Sequence, residues 1–71
     1  MKVGILGAGR IAATMARTLN GMKEAEAYAV ASRSLEKAEA FARANHVEKA
    51  YGSYEEMLAD EEVELVYIAT P

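Results

Sequence analysis

Two glycines separated by one residue lie close to the start of the chain, in a pattern whose backbone could bind a ligand. The stretch Gly-Ala-Gly-Arg-Ile-Ala matches the pattern G-x-G-x-x-A. Gly7 permits a tight turn, Gly9 has no Cβ to keep a ligand off the backbone, and Ala12 lets a following helix pack close to a strand. The free N–H groups at the start of that helix, including those of Arg10 and Ile11, could bind a diphosphate. The alternative is a tight strand-to-helix turn that binds nothing.

A serine and an arginine follow the second apolar run, where NAD-specific dinucleotide sites carry an Asp or Glu. Ser32 can donate a hydrogen bond to a phosphate oxygen, and Arg33 offers a planar fork that can pair with a phosphate and stack on adenine. No carboxylate is present there to repel a 2′-phosphate, so the pair favours NADP over NAD. Alternatively, Ser32 continues into a helix cap and Arg33 is solvated, which would leave a site of mixed preference.

Two further cations could belong to the same site. The Arg10 guanidinium could reach a diphosphate or project into solvent, and the sequence leaves this open. Lys37 lies four residues beyond Arg33 and could add a second positive charge near a phosphate, or it could be a surface lysine.

Strands and helices alternate around these residues. Apolar runs predict buried strands at residues 3–6 and 28–31. Residues 49–51 predict a weak, short third strand, and the β-rich run at 63–69 predicts a fourth. Since helical segments separate them, the strands should pair in parallel. The order β-α-β-α-β-α-β therefore predicts an α/β fold, a Rossmann-type doubly wound parallel sheet that stops after its fourth strand within this chain.

Helical spacing and capping residues place the three helices. In the first, from residue 10 to 19, the apolar face comprises Ile11, Met15 and Leu19 with Ala12 and Ala16, and Asn20 and Gly21 provide a stop. Ser34 should cap the second helix, whose apolar stripe comprises Leu35, Ala38, Phe41 and Ala42. Ser53 and Glu56 fit a capping box for a third helix anchored by Met57 and Leu58.

Composition excludes several function classes. The 71 residues carry a net charge of −3, too few cations on any face for a general nucleic-acid or membrane-surface binder. There is no cysteine, and no apolar run approaches the length of a membrane helix. A cytoplasmic protein without a leader segment is the expectation.

The remaining titratable residues predict no catalytic or metal site. His46 follows the second helix and is expected to be a surface residue. The acidic run Asp60, Glu61 and Glu62 is expected to be a solvated helix end and turn. No paired carboxylates, nucleophilic triad or metal-ligand set is present in the sequence.

Five segments together resemble the glucose-fructose oxidoreductase, inositol dehydrogenase and rhizopine-catabolism family over essentially the whole chain. They are GILGAGRIA at residues 4–12, AVASR at 29–33, EKA at 36–38, AYGSYEEML at 50–58 and VYIATP at 66–71. The resemblance implies a two-domain enzyme that passes a hydride between a nicotinamide and a hydroxyl-bearing carbon of a sugar, cyclitol or diol. It also implies that Ala69, Thr70 and Pro71 lie along the cofactor.

The chain differs from this family in its length. Members continue through a strand with a Glu-Lys-Pro segment and then a substrate domain, so residues 1–71 are expected to be the N-terminal part of a dinucleotide-binding domain, inactive alone. An uncovered fourth strand would invite pairing with another chain, which predicts a homo-oligomer. The alternatives are a nucleotide-sensing regulatory module of the same fold and an inactive remnant of a shortened gene.

Overall fold

Four parallel strands form a single sheet in the computed structural model, which describes residues 1–70. The strands are β1 (Lys2–Leu6), β2 (Glu26–Ala31), β3 (Lys49–Tyr51) and β4 (Leu65–Ile68). Their order in the sheet is β3-β2-β1-β4. This confirms the predicted Rossmann-type α/β fold. β4 begins two residues later than expected because the N–H of Val63 still donates to the carbonyl of Asp60, 3.1 Å away, in the preceding turn.

Three helices connect the strands, and their ends follow the predicted capping residues. They are α1 (Arg10–Asn20), α2 (Leu35–Asn45) and α3 (Tyr54–Leu58). The hydroxyl of Ser34 accepts from the N–H of Lys37 at 3.3 Å. The hydroxyl of Ser53 accepts from the N–H of Glu56 at 3.2 Å, which is one of the two bonds of the predicted capping box. No helix in residues 1–70 is long and apolar enough to cross a membrane.

The helices divide between the two faces of the sheet. Helices α1 and α2 cover one face, where their buried residues Ala12, Ala16, Leu19, Ala38 and Phe41 meet Val3, Ile5 and Val30 of the strands. On the other face a smaller cluster, here called the α3 core, comprises Tyr28, Ala29, Ala31 and Met57. The crossover before β4 thus puts α3 on the opposite side from α1 and α2.

Three apolar side chains that the sequence assigned to the core are exposed: Ile11 at 60%, Leu35 at 50% and Leu58 at 57%. Successive residues of a helix point about 100° apart. Ile11 therefore turns away when its neighbour Ala12 faces the sheet, and Leu58 does so when Met57 is buried. Leu35 lies beside the loop after β3, where a Cβ added to Gly52 would come within 3.0 Å of the Leu35 Cβ.

The acidic turn after α3 is solvated at Glu61 and Glu62, as predicted from sequence, but it is also a hydrogen-bonded junction. Asp60 accepts hydrogen bonds from the hydroxyls of Tyr28, at 3.0 Å, and Tyr51, at 2.6 Å. Glu62 forms an ion pair with Lys2 at 2.6 Å. A register shift between β1 and β2 makes Tyr28 the extra residue between Ala27 and Ala29, and its ring joins the α3 core. The turn therefore links α3 to β1, β2 and β3.

Candidate functional site

The turn between β1 and α1 is fixed at Gly7. The N–H of Gly7 donates to the carbonyl of Ala31 at 2.8 Å, which ties the turn to the end of β2. Gly7 has a φ of +107°, a backbone conformation that residues with a Cβ rarely adopt. An added Cβ would also lie 3.2 Å from the carbonyl oxygen of Ala69 and 3.2 Å from Cγ2 of Thr70. Only glycine fits this turn between the ends of β2 and β4 without strain.

Gly9 leaves the start of α1 open. It is the N-cap residue, and no side chain caps the helix there. A Cβ added to Gly9 would meet nothing within 4 Å, so the space beside this backbone is free. The first turn of α1 also contains no acidic residue. The helix therefore directs unpaired N–H groups and the positive end of its dipole toward an open space, an arrangement suited to an anion.

The end of β2 supplies a donor and a cation. The N–H of Ser32 donates to the carbonyl of Tyr51 at 3.1 Å, and its hydroxyl oxygen accepts from the N–H of Ser34 at 3.3 Å. Because that hydroxyl acts as an acceptor within the loop, its hydrogen remains available to a ligand. Arg33 is exposed and forms no ion pair with any other residue of the described chain.

One pocket of about 490 Å³ joins these features at the carboxyl edge of the sheet. It is lined by Gly7, Ala8, Gly9, Ser32, Arg33, Tyr54, Ala69 and Thr70. Open α/β sheets bind their ligands at this edge, where neighbouring connections leave on opposite faces of the sheet. Within the described residues, Arg33 is the only lining residue with a formal charge, and no carboxylate lines the pocket.

Six of the predicted binding residues line this pocket: Gly7, Gly9, Ser32, Arg33, Ala69 and Thr70. Four do not. Ala12 is fully buried beneath α1, as its packing role requires, whereas Arg10, Ile11 and Lys37 are exposed outside the lining. Pro71 lies outside the described residues.

Sequence reasoning missed two lining residues, Ala8 and Tyr54. Ala8 lies between the two motif glycines, so its backbone belongs to the turn by position alone. Tyr54 begins α3 shortly after β3, between the capping residues Ser53 and Glu56. Its position after the carboxyl end of a parallel strand could have identified it, because all such ends meet at the ligand-binding edge.

Comparisons with a family model and with a known protein both match the chain to oxidoreductases. A family model described as an oxidoreductase family with an NAD-binding Rossmann fold matches residues 1–71. The chain is 44% identical to the trans-1,2-dihydrobenzene-1,2-diol dehydrogenase of Mus musculus over 72 residues, which cover 99% of this chain and 22% of the mouse protein.

Two solved structures extend the comparison. A variant of a 3-ketoreductase from Actinomadura kijaniata, in complex with TDP-benzene and NADP, has a TM-score of 0.86 and 30% identity, covering 100% of this chain and 23% of the other. Myo-inositol dehydrogenase from Lactobacillus casei, in complex with NAD(H) and myo-inositol, has a TM-score of 0.84 and 30% identity, covering 97% of this chain and 21% of the other. The chain thus spans about a fifth of the length of the proteins it matches.

Proposed function

Since the chain belongs to the oxidoreductase family whose NAD-binding domain has the Rossmann fold, we propose that it binds a nicotinamide dinucleotide. We further propose that NADP is bound in preference to NAD. In the whole protein the bound cofactor would exchange a hydride with a hydroxyl-bearing carbon of a sugar, cyclitol or diol. The observation that carries the proposal is the pocket that holds the Gly7–Gly9 turn and the Ser32–Arg33 pair together.

Residues 1–71 would form the N-terminal part of the dinucleotide-binding domain, with the substrate bound by other parts of the protein. The lengths of the matched dehydrogenases, about five times that of this chain, support this division. We propose no catalytic role for the described residues. When bound, the nicotinamide supplies the hydride chemistry, and the residues of this chain bind and orient the cofactor.

The diphosphate would lie on the turn between β1 and α1. Gly9 leaves room for it, Gly7 holds the turn in position, and the first N–H groups of α1, at Arg10 and Ile11, would donate to its oxygens. Ala12 contributes by letting α1 approach the sheet closely enough for those groups to reach the pocket.

The preference for NADP rests on the end of β2. The free hydroxyl hydrogen of Ser32 and the unpaired guanidinium of Arg33 would both bind the 2′-phosphate. An acidic residue that would repel this phosphate is missing from the described lining. Lys37 fits a surface lysine better, since its side chain lies outside the lining.

The other end of the pocket would receive the nicotinamide half. Ala69 and Thr70 line it at the end of β4, on the far side of the Gly7 turn from β2. The isolated 71-residue chain is also proposed to be a homo-oligomer, because β4 pairs on one side only and exposes Leu65 and Ile68; light scattering that finds a monomer of this chain would contradict this.

Calorimetric titration of the intact protein with NADP and with NAD tests the proposal. We expect tighter binding of NADP, and we expect Arg33→Ala to weaken it by about ten-fold or more, as for the loss of a charge-assisted hydrogen bond. Arg43→Ala is the matched control, because it removes the same group from an exposed position at the end of α2. Binding of neither dinucleotide would refute the function, and tighter binding of NAD would refute the preference.

A further inference from the structure

We propose that the side-chain amide of Asn20 is a deamidation site that the folded protein protects, and that its conversion to a carboxylate releases the end of α1 from α2. Asn20 is followed by Gly21, and an asparagine before a glycine is the pair in which this reaction meets least steric resistance. The site lies at the amino edge of the sheet and does not depend on the proposed dinucleotide function.

The Asn20 side chain holds three segments together. Its Oδ1 accepts a hydrogen bond from the N–H of Ala27, at the start of β2, at 3.0 Å. Its Nδ2 donates to the carbonyls of Asn45 and His46, at the end of α2, at 3.3 Å each. These bonds use both donor hydrogens of the amide, so the amide joins the end of α1 to α2 and β2.

A carboxylate at the same position could keep only the bond from Ala27, because it has no hydrogen to donate. Its negative charge would also face the two carbonyl oxygens of Asn45 and His46. Both α1 and α2 end here, and the end of a helix disfavours negative charge. Loss of the amide therefore replaces two attractive contacts between the helices with two repulsive ones.

The reaction is an intramolecular displacement that needs no reagent other than water. The backbone nitrogen of Gly21 forms a bond to Cγ of Asn20, the bond from Cγ to Nδ2 breaks, and the proton from the Gly21 nitrogen leaves with Nδ2 as ammonia. Water then opens the succinimide ring to give aspartate or isoaspartate.

The fold does not require a glycine at position 21. Gly21 has a φ of −86°, which residues with a Cβ adopt readily. A Cβ added there would lie 3.5 Å from the carbonyl oxygen of Thr18 and 3.6 Å from that of Arg17, which are ordinary van der Waals distances. Replacing this glycine by alanine should therefore change the reactivity of Asn20 without disturbing the end of α1.

Two features of the folded state oppose the reaction. The N–H of Gly21 donates to the carbonyls of Arg17 and Thr18 at 3.2 Å each, so it is engaged within the helix. The Asn20 amide is held by its own three hydrogen bonds. Water nevertheless reaches both residues, because they line an open pocket of about 440 Å³. Local opening of the end of α1 is therefore the step that controls the reaction.

Peptide mapping by mass spectrometry tests the proposal on the intact protein, incubated at mildly alkaline pH either folded or in denaturing urea. The internal control is Asn45, the other asparagine of the chain, which is followed by His46. In urea, we expect Asn20 to convert faster than Asn45. In the folded protein, Asn20 should convert at least about ten-fold more slowly than in urea, since that ratio requires an opening cost of only about 1.4 kcal/mol.

Two variants separate the reaction from its consequence. Gly21→Ala should slow the conversion of Asn20 in urea without lowering the urea midpoint of unfolding. Asn20→Asp reproduces one product and should unfold at a lower urea concentration than the wild type.

Three results would each overturn the proposal. They are conversion of Asn20 in urea no faster than that of Asn45, equal conversion of Asn20 in the folded and the unfolded protein, and an Asn20→Asp variant as stable as the wild type. If Asn20→Asp does not fold, the two rate comparisons on the wild type still decide.

Discussion

Gly7 and Gly9 occupy one motif but are glycine for different reasons. At Gly7 the requirement is conformational, since its φ is +107° and an added Cβ would press on the backbone of Ala69. At Gly9 the backbone is extended, and an added Cβ would meet no protein atom within 4 Å. The first glycine is needed to build the turn, whereas the second leaves open space beside the backbone, where we propose that the diphosphate binds.

Substituting each glycine by alanine should separate these roles. Gly7→Ala is expected to lower the free energy of unfolding by about 1–3 kcal/mol, the cost of holding a non-glycine residue in a sparsely populated conformation. Gly9→Ala should lower it by about 1 kcal/mol, because alanine is a poorer N-cap than glycine but meets no steric obstacle here. It should nevertheless weaken NADP binding, because its methyl group enters the space proposed for the diphosphate.

Denaturant unfolding and calorimetric titration of the two variants measure these effects. Each variant serves as the control for the other. A Gly9→Ala protein that binds NADP as tightly as the wild type would argue against a diphosphate on this turn.

At the scale of the elements, the position of α3 depends on the burial of one side chain. It has five residues, and Met57 is the only one that is buried. The close packing of Met57 against the sheet explains why residue 4 of β1 is glycine. A Cβ added to Gly4 would lie 2.9 Å from Sδ of Met57. A helix this short has little stability of its own, so its position comes from the Ser53 cap and this packing.

Met57→Ala is therefore expected to lower the free energy of unfolding by about 2–5 kcal/mol, the usual cost of truncating a buried methionine. Leu58→Ala, one residue further along, should change it by less than about 1 kcal/mol because that side chain is 57% exposed. Urea unfolding of both variants makes the comparison. Equal losses would contradict the orientation of α3.

At the scale of the whole molecule, Asp60 joins the turn after α3 to β2 and β3, because it accepts hydrogen bonds from the hydroxyls of Tyr28 and Tyr51. The hydrogen bond from Tyr51, followed by that from the N–H of Glu62, lowers the pKa of Asp60. The same bond to Asp60, together with burial, raises the pKa of Tyr51 to about 12. Burial, and then the bond to Asp60, raises the pKa of Tyr28 as well.

These shifts predict how stability varies with pH. The stabilisation from Asp60 is present above the pKa of an unfolded aspartate, about 3.9, and is lost as the pH falls through the lower folded value. The stabilisation from Tyr51 is present below the unfolded tyrosine value of about 10 and is lost as the pH rises through about 12. The free energy of unfolding should therefore decrease at both extremes.

Asp60→Asn should flatten the acid side of this profile, whereas Glu61→Gln, an exposed neighbour in the same turn, should leave it unchanged. Chemical unfolding across the pH range measures both. If the free energy of unfolding falls with the same slope at acid pH in the wild type and in Asp60→Asn, then Asp60 does not cause the loss of stability there.

Local sequence determined the elements and their order. The period of the apolar residues distinguished strands from helices, and Ser34 and Ser53 marked helix starts because capping depends only on residues within one turn. The glycine motif and the Ser32–Arg33 pair were found for the same reason, since their spacing along the chain carries the information. The alternation of the elements then implied a parallel sheet.

Contacts between residues distant in the chain were decided only by the tertiary structure. Tyr28 and Asp60 are 32 residues apart, and nothing near either one indicated that they would be bonded. Tyr54 becomes a pocket residue because β3 lies beside β2, and Ile11, Leu35 and Leu58 are exposed because a helix turns only part of its surface to the sheet. Hydrophobicity states how strongly a side chain prefers burial, but the packing of the elements decides which side chains are buried.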